Sequence, residues 1–136
     1  MAHRFLVVNC ENSTVWTPIS IGDMMVATFG LGSDSWEQCH IASDEELPPF
    51  ANYKGVVITG SRFNVRDNLP WYSSLKEEII LASKRGSPKV FGGCFGHQFI
   101  SDALGGSVDF NIRYLLQLTI SFSYFLTVLY LVKSSV

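Results

Sequence analysis

Lys89-Val90-Phe91-Gly92-Gly93-Cys94-Phe95-Gly96-His97-Gln98-Phe99-Ile100-Ser101-Asp102-Ala103-Leu104-Gly105-Gly106 is the stretch that decides the fold. Residues 89–91 read as a short strand. Glycines at 92, 93 and 96 permit a tight turn around Cys94. Residues 95–104 read as a helix that Gly105-Gly106 ends. Upstream, residues 53–59 form the clearest strand. Their Val56-Val57-Ile58 run is continuous rather than alternating, as in a strand covered on both faces, and Gly60-Ser61 stops it. Between these strands, Asn68 and Pro70 announce a helix with an apolar stripe of Trp71, Leu75, Ile79 and Ala82. Lys76, Glu77, Lys84 and Arg85 are placed on its watery side, and Gly86 and Pro88 break it.

The same reading extends to the N-terminus. Residues 4–9 are a short buried strand. Thr17-Pro18 is a helix start signal, with threonine as cap and proline at the first helical position. Ile21, Met24, Met25 and Phe29 follow at helical spacing, and Gly30 and Gly32 end the run. Residues 36–42 are a second strand, weakened by Glu37 and Gln38, and residues 43–50 are an acidic, proline-containing loop. The order is strand, helix, strand, strand, helix, strand, helix. Such alternation predicts an α/β fold with a mostly parallel sheet, whose functional residues gather at the carboxyl ends of the strands.

Composition narrows the function. The chain has 136 residues, enough for one domain with a real core. Ten basic against twelve acidic side chains give a net charge of -2, which argues against nucleic acid as a partner. No Lys/Arg cluster marks an anionic membrane surface. Cys10, Cys39 and Cys94 have no metal-knuckle spacing, so no metal is expected. Free thiols and a short first apolar run point to a reducing, cytoplasmic compartment. The first strand is not followed by a Gly-x-Gly-x-x-Gly loop, which disfavours a dinucleotide, and no cofactor is expected.

Strand, sharp turn and helix with a cysteine at the turn follow the logic of a nucleophile elbow. Cys94 falls at the helix N-terminus, where free N–H groups and the positive end of the dipole favour an anion. The Phe95 N–H points to where an oxyanion would form. A cysteine between glycines is also, quite ordinarily, a small residue at a tight turn.

Gly92-Gly93-Cys94-Phe95-Gly96-His97-Gln98 resembles the Gly-x-Cys-x-Gly-His-Gln motif of class I glutamine amidotransferases. Residues 53–61 resemble that family's second landmark strand and loop, and Ala103-Leu104-Gly105-Gly106-Ser107-Val108 also fits. The nearest flavour is the stand-alone group that includes γ-glutamyl peptidases. The resemblance covers residues 4–111 and implies a three-layer, flavodoxin-like sheet. It implies Cys94 as the nucleophile on a glutamine side-chain amide or a γ-glutamyl bond, through a thioester. Gly60 and Phe95 would supply N–H groups to the oxyanion, and Gln98 would help hold the glutamyl group. The implied partner is glutamine or a γ-glutamyl small molecule. Taken as residues alone, Gln98 fits a polar helix face equally well, and Gly60 a simple strand stop. Ser61 is a turn residue or a contact, and Arg66 and Asp67 fit a solvated loop.

The family takes its base and orienting group from a His-x-Glu-type segment well after the elbow. No histidine or glutamate follows Gly106 here. His3 precedes the first strand, His40 falls inside the second predicted strand, and His97 belongs to the elbow motif, so none is assigned as the base. Residues 1–111 are therefore expected to be the N-terminal part of such a domain, its C-terminal half missing. Residues 112–136 are a divergent hydrophobic tail, of a truncated or alternatively spliced form or an imperfect gene model. The alternative to an active hydrolase is an inactive truncated isoform or pseudoenzyme. Residues 114–132 carry no charge, which is close to a membrane span in length, and residues 119–128 partly alternate like a strand. A buried apolar tail, a membrane anchor and a native strand all remain open for it.

Overall fold

The structure is a computed structural model that describes residues 2–13, 20–30 and 32–108. Its elements run β1 (Arg4–Val8), α1 (Ile21–Phe29), β2 (Ser35–Cys39), β3 (Gly55–Ile58), α2 (Tyr72–Arg85), β4 (Lys89–Gly92) and α3 (Phe95–Ala103). Two 3-10 turns, Ile41–Ser43 and Phe50–Asn52, lie on the path from β2 to β3. This is the order the sequence predicts. The start signal Thr17-Pro18 and the whole of the tail lie outside the described residues. Within them, Ser20 caps α1, its hydroxyl accepting the Asp23 N–H at 3.1 Å.

The four strands form one sheet in the order β2-β1-β3-β4, and every pairing is parallel. The chain leaves β1 toward β2, then returns to the other side of β1 to lay down β3. The strand order thus reverses at β1 and β3, and the crevice beyond their carboxyl ends is where such sheets hold ligands.

Register sorts the side chains. Leu6 and Val8 of β1 sit beside Val56 and Ile58 of β3, and all four enter the main core with Leu75, Ile79 and Ala82 of α2 and Phe95, Phe99 and Ile100 of α3. An aromatic cluster fills that layer. Tyr72 meets Phe99 edge-on at 4.9 Å between centroids, and Phe95 lies 5.4 Å from Phe99. The alternate positions face the other way. Val7, Val57 and Phe91 are in register there, and Phe91 meets Phe29 of α1 at 5.3 Å. Helices on both faces give the three-layer α/β architecture that the continuous apolar strands predict.

Two local readings change. β2 stops at Cys39 rather than at residue 42. The His40 N–H turns to the Glu45 carboxylate at 2.7 Å instead of continuing the ladder, and a 3-10 turn follows. Lys76 does not simply face water: its ammonium pairs with Asp102 of α3 at 2.7 Å and lies over the Phe99 ring. Leu75, Ile79 and Ala82 are buried as predicted. Tyr72 joins them, and Trp71 is only half-buried.

Candidate active site

The elbow between β4 and α3 is built from backbone. The Gly93 N–H donates to the Ile58 carbonyl at 3.1 Å, which hangs the turn on the end of β3. The Gly96 N–H donates to Gly93 O at 2.9 Å and the Gln98 N–H to Cys94 O at 3.1 Å, which starts the helix. A Cβ on Gly92 would run into the backbone of Gly96, and one on Gly96 into the carbonyl of Ile58. Both glycines are therefore required by close approach of the helix to the sheet. Gly93 instead faces Met25 of α1, whose methyl would lie 3.5 Å from an added Cβ.

Cys94 sits at the point of this turn with φ 49° and ψ -108°. A non-glycine residue held there stores strain, a conformation that concentrates at functional positions. Its side chain makes no capping bond to the helix. Cys94 is exposed, whereas Cys10 and Cys39 are buried.

Gly60 comes from the opposite side, on the loop after β3. A Cβ built on it would lie 3.7 Å from Cys94 Cβ and 4.0 Å from Gly93 O, so this loop and the elbow are in contact range. Among the described residues neither the Gly60 N–H nor the Phe95 N–H donates a hydrogen bond. Phe95 anchors the helix start, its side chain 1% exposed. Gln98 is exposed, one turn along α3 from Cys94. The structure thus brings Cys94, Gly60 and Phe95 together at the carboxyl end of the sheet and puts Gln98 on the adjoining helix.

The loops beyond β1 and β3 are tied to each other, which the sequence reading did not anticipate. The Glu11 carboxylate is nearly buried. One of its oxygens accepts the N–H groups of Asn12 and Ser13 and the other that of Arg62, at 2.7–2.9 Å. Arg62 Nη2 donates to Asn12 Oδ1, and Asn12 Nδ2 donates to Ala42 O. A strand followed by Asn-Cys-Glu-Asn offered one signal, a carboxylate directly after an apolar run at a strand's carboxyl end. Ser61 is a turn residue, its hydroxyl accepting the Phe63 N–H at 3.0 Å. Arg66 and Asp67 are exposed and shape their loop, with the Asp67 carboxylate accepting the Asn64 N–H.

The histidines are dispersed. His3 lies before β1, at the amino end of the sheet, where its N–H meets Asp34. His40 is not inside β2 but just beyond it, at the carboxyl end, with Nδ1 3.3 Å from Asn9 Nδ2. Three strand spacings of about 4.8 Å still separate its strand from that of Cys94. His97 is half-buried in the first turn of α3.

Burial pushes the Cys10 thiol well up, with Cys39 and Glu11 adding to the effect, and pushes Cys39 up to about 11. A group with a raised folded-state pKa contributes stability that is complete below its unfolded value and is lost as pH climbs through the folded one. The fold is therefore expected to weaken from about pH 9, the ordinary thiol value, toward pH 11. Urea midpoints across that range check this, and Cys39→Ala should make the decline shallower while the contribution of Cys10 remains.

No family model matches the chain. A Saccharomyces cerevisiae protein named as a glutamine amidotransferase is 45% identical over 62 residues, covering 43% of this chain and 25% of that protein. Gamma-glutamyl peptidase 4 of Arabidopsis thaliana is 32% identical over 88 residues, covering 63% of this chain and 35% of the peptidase. A glutamine amidotransferase from Methylobacillus flagellatus superposes with a TM-score of 0.62 at 22% identity, covering 80% of this chain and 41% of that one. One from Thermotoga maritima gives a TM-score of 0.62 at 21% identity, covering 77% and 44%. The chain spans about a quarter to a third of the length of these curated relatives. Similarity in sequence to a protein named as a glutamine amidotransferase and to a γ-glutamyl peptidase, together with the fold shared with two solved glutamine amidotransferases, supports kinship with the class I glutamine amidotransferase-like family.

Proposed function

We propose that Cys94 is a nucleophile for the γ-carbonyl of a glutamyl group, either the side-chain amide of glutamine or a γ-glutamyl bond. The observation that carries this is the strained, exposed Cys94 on a helix N-terminus, with Gly60 so placed that a Cβ added to it would lie 3.7 Å from Cys94 Cβ. In the first step the sulfur adds to the carbonyl carbon and the π pair moves to oxygen. The N–H groups of Gly60 and Phe95 receive that oxyanion, and Gln98 contacts the glutamyl group. Collapse expels the leaving group and leaves a γ-glutamyl thioester, which water later cleaves to glutamate. Preorganised donors of this kind are worth on the order of a hundredfold to a thousandfold each.

An amide leaving group must take up a proton, and general acid-base help is worth roughly a hundredfold to ten-thousandfold. The separation of His40 from Cys94 by three strand spacings supports a second reading, in which these residues bind and acylate without turnover. Residues 1–111 would then act as the nucleophile part of the domain, in the cytoplasm, with residues 112–136 as a separate tail. Among the described residues no helix is long and apolar enough to cross a membrane.

The p-nitrophenyl γ-ester of glutamate tests the first step, because nitrophenolate leaves without a proton. The chain is expected to release a burst of nitrophenolate matching one acyl group per molecule, with the thioester on the peptide containing Cys94. Cys94→Ala should lose the burst. Acylation spread over all three cysteines would refute the reading. Steady release of glutamate from glutamine itself would favour the hydrolase over the non-turnover form.

A further inference from the structure

We propose that Thr59 is a positioning residue that aims the Gly60 N–H at the oxyanion, an inference that rests on the reading of Cys94 just given. Thr59 follows β3 directly and is 0% exposed. Its N–H extends the ladder by donating to Val8 O at 3.1 Å. Its hydroxyl oxygen accepts the Cys10 N–H at 2.9 Å and donates its proton to the Gly60 carbonyl oxygen at 2.9 Å. The hydroxyl thus serves as both acceptor and donor, between the end of β1 and the loop that faces the elbow.

The second of these bonds constrains the site. It closes a ring that runs from the Thr59 side chain through the Thr59–Gly60 peptide unit to the Gly60 carbonyl. The one N–H in that peptide unit is the N–H of Gly60. Its plane therefore cannot swing without breaking the hydroxyl bond. Gly60 has no Cβ to limit its own rotation, and none of the described residues takes its N–H as a donor. The tether supplies the rigidity that glycine lacks. The bond from Cys10 N–H then fixes the hydroxyl itself to β1, at the point where the strand order reverses. Threonine suits the task, because its branched Cβ leaves few χ1 choices.

Two reagents separate aiming from folding. Acylation by the glutamate γ-p-nitrophenyl ester builds an oxyanion: the Cys94 sulfur bonds to the carbonyl carbon, and nitrophenolate departs. Alkylation by iodoacetamide displaces iodide at a methylene and builds none. In Thr59→Val, acylation of Cys94 is expected to slow by roughly tenfold to a hundredfold, part of the effect of losing one oxyanion donor. Alkylation should stay within about twofold, and Thr59→Ser should restore acylation. Equal loss in both reactions, or no loss in either, would overturn the proposal. If the valine variant does not fold, nuclear-spin relaxation of the unmodified chain decides. The Gly60 amide should be as ordered as β3, with an order parameter near 0.85, whereas a value below about 0.6 would overturn the tether. Failure of the reading beneath it looks different: the unmodified chain would then show no selective acylation of Cys94, and both ideas would fall.

Discussion

Gly96→Ala is expected to lower the unfolding free energy by about 3 kcal/mol or more, the upper end for overpacking. An added Cβ would lie 2.9 Å from the Ile58 carbonyl carbon and 3.0 Å from its Cγ2, and closer still to the carbonyl oxygen. Those are strand atoms, and the same carbonyl accepts the Gly93 N–H that anchors the elbow. α3 would have to lift from the sheet, pulling Phe95 and Phe99 out of the core. Gly86 provides the contrast. It is the left-handed C-cap of α2 with φ 69°, and open space surrounds the position of its missing Cβ. Gly86→Ala should cost only the left-handed strain, about 1 kcal/mol. Urea titrations of the two variants compare a collision with a conformational penalty, and equal losses would contradict the tight contact between helix and sheet.

Cys94→Gly is expected to do the reverse: stabilise the chain while abolishing its chemistry. The backbone at φ 49° and ψ -108° stores roughly 1–3 kcal/mol in a residue with a Cβ. Glycine removes that strain and returns roughly 0.5–1 kcal/mol through the flexibility of the unfolded chain. A net gain of about 1 kcal/mol should appear as a higher urea midpoint, with burst acylation lost entirely. Cys94→Ala keeps the Cβ and hence the strain, so it should lose the burst with no comparable gain in stability. The pair separates what the backbone stores from what the sulfur does. A glycine variant less stable than the alanine one would contradict a strained elbow.

Much of the fold was legible because the local signals agreed. Continuous Val56-Val57-Ile58 and the β4-Gly-Gly-Cys-α3 run specified parallel strands covered on both faces, and the structure has them. Boundaries failed where side chains captured backbone groups. The Glu45 carboxylate takes the His40 N–H and ends β2 three residues early, a competition that hydropathy does not register. Lys76 was placed in water because period and polarity describe its own helix, while Asp102 arrives from another. The site was half legible. A cysteine among glycines after a strand announces an elbow, but the reason for Gly96 is a contact with Ile58, far away in sequence. Thr59 was unreadable for the same reason. Its hydroxyl partners are Gly60 beside it and Cys10, 49 residues earlier, so a buried polar tie looks in sequence like the last residue of a strand.

If the elbow sulfur meets a glutamyl carbonyl in a site shaped for it, competition between two esters will reveal the preference. The chain is mixed with the p-nitrophenyl esters of acetate and of the glutamate γ-carboxyl, and the acyl group on each cysteine is identified by peptide mass. A shaped site predicts that Cys94 carries the glutamyl group in excess over acetyl, although acetyl is the smaller group and meets fewer steric barriers. Preferential acetylation of Cys94, at a rate no greater than that of a free thiol in solution, would contradict the account.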